Sequence, residues 1–114
     1  MGVYVFRSLH GPYIKIGHYA KSNAWSRIAH RGFHKILHPK ELRGKVSVED
    51  FTLVYWNQTH TTKDEKSFHK HCASYRVIGE WFHEDALPLL QEKWIENQAE
   101  TCNKQQAIET RRRL

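Results

Sequence analysis

Residues 61–82 read TTKDEKSFHKHCASYRVIGEWF, and within them Glu65, Phe68, Cys72 and Tyr75 recur at i, i+3, i+7 and i+10. That is the period of a helix face turned toward a core, and it predicts a helix over 63–75. A carboxylate heads the stripe. Buried without a partner it would be costly, so Glu65 must meet a metal, a cation or a hydrogen-bond donor. The same residues allow a plainer reading. Thr62, three residues before Glu65, forms a capping-box pattern in which the carboxylate only satisfies backbone amides at the helix start. The stretch alone leaves both readings open.

The chain has 114 residues, enough for one domain with one modest core. Its 39% hydrophobic content, with four Trp and five Tyr, excludes wholesale disorder. It contains neither an apolar run long enough to span a membrane nor a signal-peptide pattern, and no zinc-finger spacing, repeat or Gly-rich phosphate loop. Cys72 and Cys102 lack metal-ligand spacing and read as reduced thiols of an intracellular protein, cytoplasmic or nuclear. The expected division is a domain over residues 1–97 and a polar, Arg-ending tail or helix extension over 98–114.

Charge is unevenly spread. Residues 1–45 carry nine Lys/Arg against one acid, a surplus of +8, whereas residues 46–110 carry six against eleven, or −5. Arg111, Arg112 and Arg113 bring the net to +6. The basic half is the candidate face for a polyanion, and the acidic half can hold metal-binding carboxylates.

Along the chain, VYVF (3–6) and YIKIGH (13–18) predict a hairpin, with Gly11-Pro12 in the connection. Alternation sets Val3 and Val5 against Tyr4 and Phe6, and Ile14 and Ile16 against Tyr13, Lys15 and Gly17. Bulky residues on both faces call for helices on at least one side. Ser22 is the expected N-cap of a helix over about 23–31 closed by Gly32, with Arg27 and Arg31 one turn apart. FTLVYW (51–56) alternates as a third strand. Asp85 caps a last helix with Pro88 in its first turn and Leu87, Leu90 and Trp94 on its packing stripe. The sheet so read has three strands.

Gly2-Val3-Tyr4, Lys15-Ile16-Gly17, Arg27 and Glu65 together resemble, in order and approximate spacing, the GIY-YIG nuclease domain. The run from Glu65 to Phe82, ending GEWF, resembles the small phage- and virus-associated branch of that superfamily. The similarity covers residues 2 to about 90. It implies an α+β fold with a three-stranded antiparallel sheet flanked by helices, and a divalent-metal-dependent endonuclease acting on DNA. Tyr4 falls on the tyrosine of the first motif. Lys15 replaces the tyrosine of the second, with Tyr13 two residues earlier on the same strand face. His18 takes the assisting position after the second motif, Arg27 the helical arginine and Glu65 the metal carboxylate. The asparagine that many relatives carry beyond the glutamate is absent, and that region reads Gly79-Glu80.

Phosphodiester hydrolysis needs an activated water, neutralised charge at phosphorus and help for the leaving oxygen. In this scheme Glu65 holds Mg²⁺ or Mn²⁺ and Arg27 clamps the scissile phosphate, with Arg31 flanking. Tyr4 orients or deprotonates the water if Lys15 or the metal favours its phenolate, and His18 is the rival base. His69, one turn beyond Glu65, orients the carboxylate or donates a hydrogen bond within the core. Trp81 and Phe82 pack the Glu65 helix onto the sheet. Arg111, Arg112 and Arg113 add sequence-independent backbone affinity, and Tyr13 can contact the substrate. One catalytic set per chain implies nicking, or cleavage of single-stranded or distorted DNA, to 5′-phosphate and 3′-hydroxyl ends. A double-strand break would need a homodimer or two encounters, and strong site discrimination would need that dimer or a recruiting protein partner.

Overall fold

The computed structural model describes residues 1–33 and 36–112, apart from the side chains of His30 and Arg31. Strands β1 (Gly2–Ser8) and β2 (Tyr13–Tyr19) form the expected central hairpin, and β3 (Phe51–Asn57) pairs antiparallel with the other edge of β1. The sheet does not stop at three strands. β4 (Arg76–Ile78) and β5 (Trp81–His83) form a second hairpin that docks on β2, giving an open five-stranded antiparallel sheet in the order β3-β1-β2-β5-β4.

This corrects the three-stranded reading, and the cause lies around residue 72. The helix expected over 63–75 is α2 (Thr62–His71), followed by a 3-10 turn over Ala73–Tyr75. The chain then becomes extended, and Gly79, at φ 54°, makes the tight turn back into Trp81. Three-residue strands leave almost no periodic signal, so their pairing is decided by the neighbouring edge of β2.

β3 departs from strict alternation. Val5 pairs with Tyr55 but Phe6 with Leu53, so Val54 is an inserted bulge residue. Val54 and Tyr55 therefore both join the core on one side, while Leu53 and Trp56 join the other. The outer edge of β3 is covered by residues 96–98: Gln98 N donates to the Trp56 carbonyl at 2.7 Å and Asn97 Nδ2 to the Val54 carbonyl at 2.8 Å. Side-chain and backbone partners from a loop thus replace a sixth strand.

Helices cover both faces. On one, α2 and α3 (Leu87–Gln91) bury Phe68, Cys72 and Leu90 against Val3, Val5, Ile14, Ile16 and Phe82. On the other, α1 (Trp25–Arg31) and α4 (Lys104–Arg112) pack with Trp25, Ile28, Cys102 and Ala107 on Tyr4, Phe6, Phe33, Trp56 and Trp81. Two caps differ from expectation. Ser22 does not cap α1; Asn23 Oδ1 accepts from Trp25 N at 3.1 Å, an Asx turn after which the helix opens at Trp25, two residues later than expected. Asp85 lies in a 3-10 turn ahead of α3, where the His83 ring accepts the Asp85 amide at 3.1 Å. No helix among the described residues is long and apolar enough to cross a membrane.

Candidate metal centre

The helix cap decides what Glu65 is for. Thr61, not Thr62, is the N-cap of α2, and Asp64 closes the capping box by accepting the Thr61 amide at 2.7 Å. Glu65 is thereby released from capping. One position further round the helix, it points at the sheet and is 8% exposed. His18, on the outer half of β2, approaches its Oε2 through Nδ1 at 3.2 Å, while the imidazole remains largely open to solvent.

The second carboxylate is Glu80. It sits in the β4–β5 turn, immediately before Trp81, which pairs with Lys15. Its backbone carbonyl accepts the Ile16 amide at 3.0 Å, so β5 ends beside the middle of β2 and the Glu80 side chain hangs off that edge toward α2. Carboxylate oxygens of Glu65 and Glu80 and a ring nitrogen of His69 all lie within 4.8 Å of one another. This Glu–His–Glu cluster can chelate a metal ion. His69 also meets the Ile16 carbonyl through Nε2 at 2.8 Å. A carbonyl only accepts, so Nε2 carries the proton and the lone pair lies on Nδ1.

Lys15 explains how two acids tolerate each other. It is fully buried, with Nζ 2.8 Å from Glu80 Oε1 and donating to Tyr4 Oη at 3.0 Å, and its charge rests over the Phe33 ring at 4.7 Å. Burial first, then the nearby Glu80 charge, raises the Glu65 carboxyl above its ordinary value despite the His18 bond. Burial also pushes Glu80 upward, but the charge and hydrogen bond of Lys15 and a hydrogen bond from Glu65 outweigh it and hold Glu80 low. The two carboxyls are thus shifted in opposite directions, Glu65 upward and Glu80 downward, and Glu65 is the one that holds its proton more tightly.

Tyr4 lies across β2 because its register partner is Gly17. A Cβ there would sit 2.5 Å from Tyr4 Cζ and nearer still to the hydroxyl oxygen. Burial raises the Tyr4 phenol above its ordinary value, against the opposing pull of Lys15, so the ring stays protonated. Arg27 stacks on Phe33 at 5.3 Å and donates to the Gly32 carbonyl at 3.4 Å. It has no carboxylate partner among the described residues, and its charge is felt at both Tyr4 and Tyr19.

The structure thus brings Tyr4, Lys15, His18, Glu65 and His69 together around Glu80. It does not bring Tyr13 there: that hydroxyl donates to Glu41 at 2.9 Å, and five residues of extended strand, roughly 17 Å, separate Tyr13 from His18. Arg111 and Arg112 lie in the last turn of α4. Arg113 and the Arg31 side chain lie outside the described residues. Phe82 packs against the His69 ring at 5.1 Å, as expected for a residue that seats α2, whereas Trp81 faces the opposite core against Phe33 and Phe51. Glu80 is the residue that sequence reading missed. Its signal was Lys15, a cation on a core-facing strand position that required a buried counter-ion.

No family model, curated protein or solved structure matches the chain.

Proposed function

We propose that the protein is a divalent-metal-dependent endonuclease acting on DNA, the activity that the resemblance of its motifs to those of the GIY-YIG nucleases implies. The observation that carries the reading is Glu65: buried, released from its cap, and facing Glu80 and His69 with His18 beside it. The donor set fits a cation, because two carboxylates at this separation repel each other unless a proton or a metal lies between them. A divalent cation held by Glu65, Glu80 and the His69 lone pair would neutralise the developing charge on a bound phosphate.

The remaining roles belong to side chains. His18 is exposed and oriented by Glu65, so it takes the proton of the attacking water. Tyr4 is 1% exposed and stays protonated, which suits it to positioning through Lys15 and not to proton abstraction. Lys15 fixes the Glu80 carboxylate. Arg27 binds a non-bridging phosphate oxygen, and Arg31, four residues on in the sequence, adds a second cation for the phosphate. Arg111 and Arg112, in the last turn of α4, supply backbone affinity together with Arg113.

The test is a panel of end-labelled single-stranded, nicked, branched and duplex DNAs with and without Mn²⁺. The expected result is metal-dependent nicking that leaves 5′-phosphate and 3′-hydroxyl ends and is lost in folded Glu65→Gln and Arg27→Ala. Intact DNA throughout, at high protein concentration, sinks the enzyme. If binding then persists and weakens with salt, the domain is a catalytically silent nucleic-acid-binding module.

A further inference from the structure

We infer that the centre formed by Glu65, Glu80 and His69 is a nitrogen-containing site for a transition-metal dication, of which Mn²⁺ is the type, and that it discriminates against Mg²⁺ and Ca²⁺. The inference deepens the reading of this centre as a metal site, and its test does not depend on nuclease activity.

Three observations support it. The first is donor chemistry. Magnesium and calcium take oxygen donors, and magnesium parts with its waters reluctantly, whereas first-row transition dications accept imidazole nitrogen beside carboxylate. A site with one nitrogen in every three protein donors therefore favours the second group. The second is the placement of His69. Phe82 packs against one side of its ring, and the Ile16 carbonyl fixes Nε2 at 2.8 Å, so the tautomer with its lone pair on Nδ1 is set before any ion arrives. Such an outer hydrogen bond from a ligating imidazole to a backbone carbonyl orients the ring and strengthens it as a donor. The third is Glu65 itself, a nine-tenths buried carboxylate on α2 brought against a second carboxylate on the β4–β5 turn. The helix and the turn converge there with acid facing acid, an arrangement that hydrophobic packing alone would not select.

Lys15 adds a constraint. Its ammonium lies 2.8 Å from Glu80 Oε1 and competes with a cation for that oxygen, which favours ligation through a single oxygen of Glu80. The site thus offers few protein donors and leaves positions for water or substrate, which favours a small transition dication over Ca²⁺ with its six to eight oxygens.

The experiment is calorimetric titration of the purified full chain, without DNA, with MnCl₂, ZnCl₂, MgCl₂ and CaCl₂. It is paired with pulsed electron paramagnetic resonance of the Mn²⁺ complex, read for coupling to a directly bound imidazole nitrogen. The expected result is Mn²⁺ binding at least about tenfold tighter than Mg²⁺, with nitrogen coupling present. His69→Gln should lose both the coupling and the preference, while Glu80→Gln should weaken every metal. Circular dichroism melts of both variants establish that they are folded. Equal affinity for Mg²⁺ and Mn²⁺, unchanged coupling in His69→Gln, or no binding of any metal overturns the inference. If DNA is cut equally well with Mg²⁺ and Mn²⁺ while affinities are also equal, the nuclease reading stands and this one fails. If the preference and coupling are found but no DNA is cut, the reverse holds.

Discussion

Replacing Gly17 with alanine tests the contact that places Tyr4. A Cβ at residue 17 would lie 2.5 Å from Tyr4 Cζ and 3.0 Å from Cε1. Carbon atoms in contact sit about 3.5–4.0 Å apart, so the ring must retreat by about 1 Å. It has nowhere open to go. Tyr4 is buried, the Phe6 ring lies 5.1 Å from it, and its hydroxyl is tied to Lys15 at 3.0 Å. Overpacking of this kind costs about 1–3 kcal/mol. The reduced freedom of alanine in the unfolded chain offsets about 0.4–1 kcal/mol of that. A net loss of about 1–2 kcal/mol is expected, lowering Tm by about 4–12 °C for a domain of this size. The assay is equilibrium urea unfolding followed by fluorescence, with the slope m unchanged and the midpoint lowered. A midpoint equal to or above that of the native sequence would refute the reasoning, since β2 would then be able to move away from Tyr4 without cost.

Asp64→Ala should remove the capping box and cost about 0.5–2 kcal/mol by urea unfolding while leaving metal isotherms unchanged, because Glu65 takes no part in the cap; a weakened isotherm would contradict this. Burial pushes the Cys72 thiol up to about 11, so at pH 8 only about 0.1% would be thiolate. A disulfide reagent should label it only in denaturant, and rapid labelling of Cys72 in the native protein would contradict its placement. In the metal-free protein the raised Glu65 carboxyl makes the folded state bind the extra proton just above the ordinary carboxylate value, so stability falls as pH rises through that window. The lowered Glu80 carboxyl acts in the opposite sense: its contribution is present above the ordinary value and is lost as pH falls below it. Urea midpoints in chelator between about pH 5 and 8 should therefore decline less in Glu65→Gln than in the native sequence, and parallel curves would refute the shift.

The local elements were legible where side chains repeat with a clear period. The β1–β2 hairpin, the α2 stripe of Glu65, Phe68 and Cys72, and the closure of α1 at Gly32 all follow from neighbours within one or two turns. So did the need for a partner at Glu65, because burying a carboxylate demands one whatever the fold. The tertiary structure decided which partner it found. Whether Thr61 or Thr62 caps α2 turns on one residue of phase, too fine for a periodicity to resolve, yet it determines whether Glu65 serves the backbone or the site. The two added strands are each three residues long; the free edge of β2 accepts β5, and β5 in turn accepts β4. The turn between them carries Glu80 to Lys15, 65 residues away in the chain. That pairing could not be read locally: a buried lysine announces that it needs an anion, but only the packed sheet determines which one it gets.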